Sequence, residues 1–348
     1  MVLVRNSVVR LTGPRQIALE SCPADDLHTG QVRVRTRYSG ISAGTELTLY
    51  RGTNPRLTKV WDESRRMFVG RDDAGGYPVS GFGYEEVGEV VEVAPDVATP
   101  RCGDLVWGIW GHRAEAVLPA GSVTVVPPGV DPLAAVLARP GAIALTALLA
   151  GDLHLGEWVG VFGQGVIGLL ATRLAVLSGA RVVAVDRLPA RLKVAERQGA
   201  RLTVDAGTAS AAEVLREVTD GAGADVCLEL SGAYPALHEA IRATTHGGRV
   251  VAAGFYQGGA AAVALGEEFH HNRVQLVAAQ VSGDMPAPGT AGRWTGVRIA
   301  RTFMSLVAEG AVDPLPLVSH VVDAHDVAEA MTLLDRDDPD VLQVVLRF

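Results

Sequence analysis

Lysine is nearly missing from this chain of 348 residues: of 31 basic side chains only Lys59 and Lys193 are lysine, a bias we assign to codon usage rather than chemistry. Positive charge is in deficit altogether. A net charge of -8 and a pI near 5.6 leave no basic face for nucleic acid or anionic lipid, so neither is an expected partner. Cysteine is scarce: Cys22, Cys102 and Cys227 are scattered, form no Cys-x-x-Cys pair, fit a reducing compartment and supply no metal framework. Long apolar runs are lacking as well. The most apolar window, residues 134–150, is cut by Arg139-Pro140 and is too short to span a bilayer, and the opening MVLVRNSVVRLTGPRQ has no apolar signal core. These absences predict a cytoplasmic chain with no membrane association. No repeat or low-complexity tract is present, and 48% hydrophobic content leaves room for two domains with real cores.

What is present is organised around residues 158–187, WVGVFGQGVIGLLATRLAVLSGARVVAVDR. The apolar run Trp158 to Phe162 predicts a buried parallel strand, and it stops at Gly163-Gln164-Gly165-Val166-Ile167-Gly168, where an amphipathic helical pattern begins. Gly163 allows a tight turn, Gly165 lets the backbone approach a pyrophosphate, and Gly168 lets the helix lie close to the strand. The free N–H groups and positive end of the helix would then face phosphates. A second apolar strand, Arg181 to Val185, ends in Asp186, near the roughly 20-residue spacing expected of an acid that accepts ribose hydroxyls. That carboxylate would repel a 2′-phosphate, whereas Arg187 and Arg191 could hold one if Asp186 turned away; NAD(H) is the predicted cofactor. Thr146, on the helix leading into this region, joins the expected cofactor-binding set.

On either side of that stretch the pattern differs. Up to about Pro128 the chain reads as short strands (VVRLTG, QIALES, QVRVRTRYSGIS, EEVGEVVEVAP, DLVWGIW, AEAVLPAGSVTVVP) broken by Gly, Pro or Asp, which suggests a compact antiparallel barrel. A long excursion from Ser39 to Gly83 carries polar side chains, and loops of that length are usually functional. Asp131 to Leu149 reads as one helix. From Trp158 onward strands and helices alternate, ending in a strand over Val274 to Val281, which predicts an α/β doubly wound parallel sheet with ligands at the carboxyl ends of its strands. Ser231-Gly232 and Gly254-Phe255-Tyr256 sit at two such ends and are expected to line the nicotinamide side. The tail then reads as strand, helix, strand. The expected division is a catalytic domain over 1–142, a dinucleotide-binding domain over 143–284, and a return to the first domain over 285–348.

This order resembles the medium-chain dehydrogenase/reductase superfamily over the whole chain. The segments that carry the resemblance are Ser39-Gly40-Ile41-Ser42-Ala43-Gly44-Thr45-Glu46, Gly83-Tyr84-Glu85-Glu86-Val87-Gly88-Glu89-Val90-Val91, residues 99–106, and the GQGVIG turn. The Gly-Thr-Glu version of the first, with LGEEFHHNR at 265–273, looks closest to a subgroup of sugar (guloside-type) and bacteriochlorophyllide dehydrogenases. The resemblance implies a GroES-like β-barrel catalytic domain joined to a Rossmann domain. Zinc-dependent members place a Cys, a His and a further Cys or Glu where this chain has Ala43, Tyr84 and Ala142, none of them a usual zinc ligand. The four closely spaced cysteines of the structural zinc lobe are missing too: the chain runs from Cys102-Gly103-Asp104 directly to Ala114-Glu115. No metal is expected at either site.

Something else must then stabilise a developing alkoxide and move its proton. By the resemblance Thr45 matches the relay hydroxyl, Tyr84 stands where the zinc-binding His would point at substrate, and Glu46 and Glu85 match acids behind the metal. Either acid could orient Tyr84 or act as base. His271, in Glu268-Phe269-His270-His271-Asn272-Arg273, is placed by the expected topology at the cleft rim as a second acid/base candidate. His112 is a further one, with Trp107 and Trp110 as pocket walls, and Arg139 is expected to pair with an internal acid. The leading expectation is a zinc-independent NAD-dependent oxidoreductase interconverting a secondary alcohol and a ketone on a sugar, cyclitol or similar polar molecule. Reduction of a conjugated C=C bond, and redox-neutral use of retained NAD in epimerisation or elimination, are the alternatives. A homodimer pairing the last Rossmann strand is expected, since that apolar edge is otherwise exposed.

Overall fold

The computed structural model describes residues 6–71, 76–281, 287–290, 292–336 and 338–348. They divide into two compact units: the described residues up to Arg139 together with Leu315–Phe348, and Pro140–Pro314.

The first unit is built on the strand Gln31–Ile41, in which Val32, Val34 and Thr36 point inward while Arg33, Arg35 and Arg37 do not. That two-residue alternation buries one face of the sheet. Its sheet runs in the order Thr124–Val125, Leu105–Gly108, Glu86–Val93, Gln31–Ile41, Gln343–Arg347, Val318–Asp323, and Glu115–Pro119 also pairs with the central strand. The C-terminal segment therefore returns here: Gln343–Arg347 lies antiparallel to Gln31–Ile41, with Val344 opposite Ile41 and Leu346 opposite Ser39. The excursion after Ile41 is not mainly loop. It opens with a helix, Ala43–Arg51, which Gly52 stops in the left-handed region, and continues through an isolated hairpin of Lys59–Asp62 with Met67–Gly70.

The helix expected from Asp131 to Leu149 is two helices, Pro132–Val136 and Ala138–Gly151, with Leu137 between them. The cause is Pro140, which offers no N–H and whose ring clashes with the carbonyl four residues back, that of Val136, where the first helix stops. Asp131 caps this first helix by accepting the Leu133 N–H.

In the second unit six strands lie parallel in the order Leu202–Asp205, Arg181–Asp186, Trp158–Phe162, Ala224–Glu229, Thr244–Ala252, Gln275–Ala278. Winding starts at the strand Trp158–Phe162, moves outward on one side, then resumes beside the starting strand and moves outward on the other. The reversal lies between Trp158–Phe162 and Ala224–Glu229, whose ends are in register at Phe162 and Glu229. A crevice outside the carboxyl ends of strands at such a reversal is the ligand-binding position of open α/β sheets. Both faces of the sheet are covered, so its strands are continuous apolar runs: Val159, Val161, Val182, Val183, Ala184, Leu228, Val250 and Val251 are inaccessible to solvent. The last strand is shorter than expected and is an edge, with Leu276 exposed.

Candidate active site

At the reversal, Gly163 adopts φ of +89°, a left-handed backbone that a side chain would strain. Gly168, one turn into the helix Val166–Leu177, has no room for a Cβ, which would collide with the Gly163 carbonyl. Gly165 is the opposite case: it is the N-cap, no side chain caps the helix, and a Cβ there would meet nothing. The first N–H groups of that helix have no acceptor within it, and the space over Gly165 is open to a ligand that supplies one, an anion above all. Val166 and Ile167 carry those N–H groups. Asp186 ends the next strand with its carboxylate fixed at both oxygens: Oδ2 accepts the Gln164 N–H at 2.6 Å and Oδ1 the Leu188 N–H at 2.9 Å.

The first unit holds a second cluster. Tyr84 follows Gly83 and is half-buried, and its phenol meets the Ser42 hydroxyl in a short hydrogen bond with Thr45 Oγ1 at 3.4 Å. Ser42 and Thr45 are presented by the start of the helix Ala43–Arg51, and Glu46 fixes that start by accepting the Ser42 N–H at 2.9 Å. The other Glu46 oxygen faces His112 Nε2 at 2.7 Å, with both side chains buried. On its far side His112 Nδ1 lies 2.6 Å from Ser39 Oγ, which donates to Glu86 Oε1 at 3.1 Å, while Glu86 Oε2 accepts the Trp110 N–H at 2.8 Å. Since the Ser39 proton goes to Glu86, His112 Nδ1 must donate, and Nε2 faces a carboxylate; both ring nitrogens carry hydrogen. Burial alone would push the imidazole pKa down, but the charge and hydrogen bond of Glu46 and the charge of Glu86 outweigh it, and the net shift is upward. Gly83, at φ +103°, makes room, since a Cβ would stand 2.8 Å from His112 Cε1.

Glu85 points the other way from Glu86, as neighbours on a strand do, and its Oε2 accepts from Gln343 Nε2 at 3.1 Å. Burial first, then the charges of Glu46 and Glu86, raise its pKa well above the usual carboxylate range. Burial also drives the Tyr84 phenol well up, aided by Glu85 and opposed by the hydrogen bonds from Ser42 and Thr45. Arg139 is half-buried within electrostatic reach of Tyr84.

Several expectations are corrected here. His271 is exposed and lies just before the strand Gln275–Ala278; its neighbour Asn272 accepts the Gly247 N–H at 2.7 Å, and Glu268 reaches Arg242 at the end of a helix returning from the crevice. That is the amino end of the sheet. In a parallel sheet the glycine turn and Asp186 occupy the opposite edge, so His271 stands away from the crevice; the misplacement came from reading residues after Gly254 as rim when the chain had already crossed back. Gln164 is fully buried, its amide donating to the Val161 carbonyl and accepting from Thr172, so it shapes the turn from inside. Thr146 is buried with its hydroxyl donating to the Ala142 carbonyl. Trp110 is core, its Nε1 donating to Thr36 Oγ1 at 2.9 Å. Ser231, Gly232, Gly254 and Phe255 are gathered at the crevice, around a residue the sequence reading passed over: Glu229, fully buried, which accepts from Ser231, Gly232 and Tyr256. Arg187 is exposed and Arg191 half-buried beyond Asp186.

Comparison with known proteins adds the lineage. A model of the zinc-binding dehydrogenase family matches residues 166–287. D-guloside 3-dehydrogenase of Escherichia coli (strain K12) is 29% identical over 320 residues, which cover 89% of this chain and 91% of that protein. L-threonine 3-dehydrogenase of Pyrococcus abyssi is 32% identical over 251 residues, covering 66% of this chain and 70% of that protein. The chain belongs to the zinc-type alcohol dehydrogenase-like medium-chain dehydrogenase/reductase superfamily. Its fold agrees: 2R,3R-butanediol dehydrogenase from Bacillus subtilis superposes with a TM-score of 0.80 at 22% identity, over 99% of both chains. Within this superfamily the present member groups with the guloside type, and its architecture is a GroES-like barrel plus a Rossmann sheet. Among the described residues no group of three or more His, Cys, Asp or Glu side chains could hold a metal ion.

The raised Glu85 carboxyl makes a stability prediction for this dehydrogenase-family chain. An acid whose folded pKa lies above its unfolded value keeps its proton when the unfolded chain releases it, so folded stability is greatest below about pH 4.5 and falls as pH rises above it. Glu85→Gln removes the titration while keeping an oxygen for Gln343. Urea denaturation between about pH 5 and about pH 8 is expected to show the variant gaining on the native chain as pH rises, by at most about 1.4 kcal/mol per pH unit. A difference independent of pH would overturn the assignment.

Proposed function

We propose that this chain is a zinc-independent, NAD(H)-dependent oxidoreductase that interconverts a secondary alcohol and a ketone on a polar molecule such as a sugar, cyclitol or secondary-metabolite intermediate. The observation that carries it is Tyr84, a phenol held by Ser42 and Thr45, which the sequence resemblance aligns with a metal ligand of zinc-dependent members. A zinc ion does not fit. Ala43 and Ala142 offer methyl groups, Ala142 packed with Ala287 and Ile299, and burial keeps the Tyr84 phenol protonated, which is the form that does not ligate. No step is therefore assigned to a metal.

A nicotinamide dinucleotide does fit the second unit. Its pyrophosphate would be held by the N–H groups of Val166 and Ile167 over Gly165, and its adenine-side ribose by Asp186, with Ser231, Gly232, Gly254 and Phe255 on the nicotinamide side. When bound, that group supplies or accepts the hydride. The first unit moves the proton. A phenol that keeps its proton donates a hydrogen bond to a substrate carbonyl and gives that proton to the oxygen as the carbon is reduced. It is reprotonated from solvent by a relay through the Ser42 or Thr45 hydroxyl, each of which passes on one proton as it receives another. Arg139, within reach of Tyr84, favours the phenolate that forms in between. Glu46 acts at one remove by fixing Ser42. Glu85, held neutral, is suited to hold structure rather than to serve as base. The guloside dehydrogenase relative supports a sugar-like substrate, and buried partners for each hydroxyl are how such sites discriminate.

Asp186 supports NAD: with both oxygens bonded to backbone N–H groups it is not free to swing away from a 2′-phosphate. The edge strand Gln275–Ala278, with Leu276 at 44% exposure, supports a homodimer formed by pairing that strand with its copy.

Three outcomes are expected. Tyr84→Phe lowers kcat/KM by about 100-fold or more on whichever of a panel of sugars, cyclitols and secondary alcohols the native enzyme turns over. Activity equal to the native enzyme's, turnover of an activated alkene with silence across that panel, or stoichiometric zinc in protein purified without added metal would each sink the reading. Steady-state kinetics with both cofactors show a preference for NAD(H), and Asp186→Ser shifts the ratio toward NADP(H) by about 10-fold or more, the equivalent of ~1.4 kcal/mol; native preference for NADPH would reverse the assignment. Leu276→Lys lowers the sedimentation mass of the native oligomer toward that of one chain, and an unchanged mass would place the interface elsewhere.

A further inference from the structure

Glu229 ends the strand Ala224–Glu229 at the reversal of the parallel sheet, opposite Phe162 in the register, and its side chain is inaccessible to solvent. One carboxylate there takes four donors from two loops. From the loop that follows its own strand come the Ser231 N–H at 2.9 Å, the Ser231 hydroxyl, and the Gly232 N–H at 3.1 Å. From the loop after the neighbouring strand comes the Tyr256 hydroxyl. The Glu229 carbonyl adds to the tie by accepting the N–H groups of Ala253 and Gly254, both at 3.0 Å.

The two loops are packed against each other without slack. A Cβ on Gly254 would stand 2.5 Å from Gly232 Cα and 2.9 Å from Glu229 Oε2, and one on Gly232 would stand 2.9 Å from the Phe255 carbonyl oxygen. The Tyr256 ring lies 5.2 Å from that of Tyr234, whose hydroxyl donates to the Gly258 carbonyl and so secures the continuation of the second loop. An ionised carboxylate is acceptor-only, whereas the amide of glutamine would bring two N–H donors against donors. Burying such a group is tolerable only when its oxygens are fully bonded, as they are here. Holding a single turn requires far less than this; four donors from two strand ends hold the ends together.

We propose that Glu229 and Tyr256 form a brace that positions the loops at 231–232 and 254–256 to receive the nicotinamide half of the dinucleotide, as positioning residues rather than ligand contacts. The inference rests on the dinucleotide reading given above. Asp186 and the N–H groups of Val166 and Ile167 make no hydrogen bond to Glu229 or Tyr256 among the described residues, and only Gly163 of the glycine turn packs against Ser231, so the brace is expected to bear mainly on the nicotinamide. NADH and ADP-ribose share the adenosine, the pyrophosphate and the second ribose and differ in the nicotinamide, so the comparison isolates what the two loops contribute to that ring.

The test measures the Kd of NADH and of ADP-ribose for the full chain, native, Tyr256→Phe and Glu229→Gln. Tyr256→Phe, which removes only the link to the second loop, is expected to weaken NADH by about five- to ten-fold and Glu229→Gln by more than that, the loss of one or several buried hydrogen bonds. ADP-ribose binding is expected to stay within about two-fold of native in both. NADH and ADP-ribose weakening in equal ratio, or neither weakening, would overturn the brace. Native protein that binds neither would overturn the underlying reading instead. Should Glu229→Gln fail to fold, Tyr256→Phe decides the matter by itself.

Discussion

The arrangement of the first unit depends on one buried pair, the imidazole of His112 and the carboxylate of Glu46, 2.7 Å apart. Two charges out of water are tolerable only if their remaining hydrogen-bonding positions are filled, and here they are: Glu46 by the Ser42 N–H, His112 by Ser39, and Ser39 in turn by Glu86. The chain of bonds ties three separate segments together, the strand Gln31–Ile41 running on into the helix start at Ser42, the residues after Gly83, and the loop carrying Trp110 and His112. Tyr84 inherits its place from this. Its phenol bonds to Ser42 and Thr45, whose positions follow from how Glu46 is held.

The second unit uses carboxylates at strand ends in two different ways, and exposure separates them. Asp186 is half-buried, bonded to two backbone N–H groups of adjacent turns, and keeps lone pairs toward solvent that a ribose could use. Glu229 is sealed, and all it accepts comes from the protein. Burial raises its pKa, opposed by its donors in Ser231, Tyr256 and Gly232. On the proposed reading one acid addresses a ligand and the other addresses the loops that surround it, though both end parallel strands of one sheet.

What could be read in the chain beforehand follows from this contrast. The parallel sheet and the glycine turn are local: apolar runs of strand length, helical periods between them, and three glycines at fixed spacing each describe a few consecutive residues. The role proposed for Tyr84 comes through resemblance, from the Gly-Tyr-Glu in place of a familiar triplet. The pairs Glu46 with His112, Ser39 with Glu86 and Glu85 with Gln343 join residues far apart in sequence, and no periodicity records such a partner. His112 was accordingly weighed below His271, although the first is buried at the centre of a network and the second is exposed at the amino end of the sheet. Glu229 is hard to read for a simpler reason: an acid after the three apolar residues Val226, Cys227 and Leu228 looks like the polar end of a strand. The Pro140 break in the helix was legible in principle, since the ring acts on the carbonyl four residues back, and periodicity across residues 131–149 concealed it.

A neutral phenol is a weaker electrostatic device than a divalent cation, and the surroundings of Tyr84 account for how it could suffice. A metal polarises an oxygen whatever its own protonation state, whereas a phenol does so only while it keeps its hydrogen. Burial ensures that it does, and the same burial lowers the local dielectric, so each hydrogen bond made to the substrate counts for more than it would in water. Glu85, next in sequence, opposes negative charge on the phenol when it is ionised; its own burial raises its pKa and so weakens that repulsion. On the proposed reading Arg139, within electrostatic reach of Tyr84, contributes attraction for that charge. It stands in the first turn of the helix Ala138–Gly151, where the helix dipole disfavours a cation. A guanidinium kept half-buried against that field, within reach of the phenol that faces Ser42 and Thr45, suits the charge that the proposed proton transfer would create.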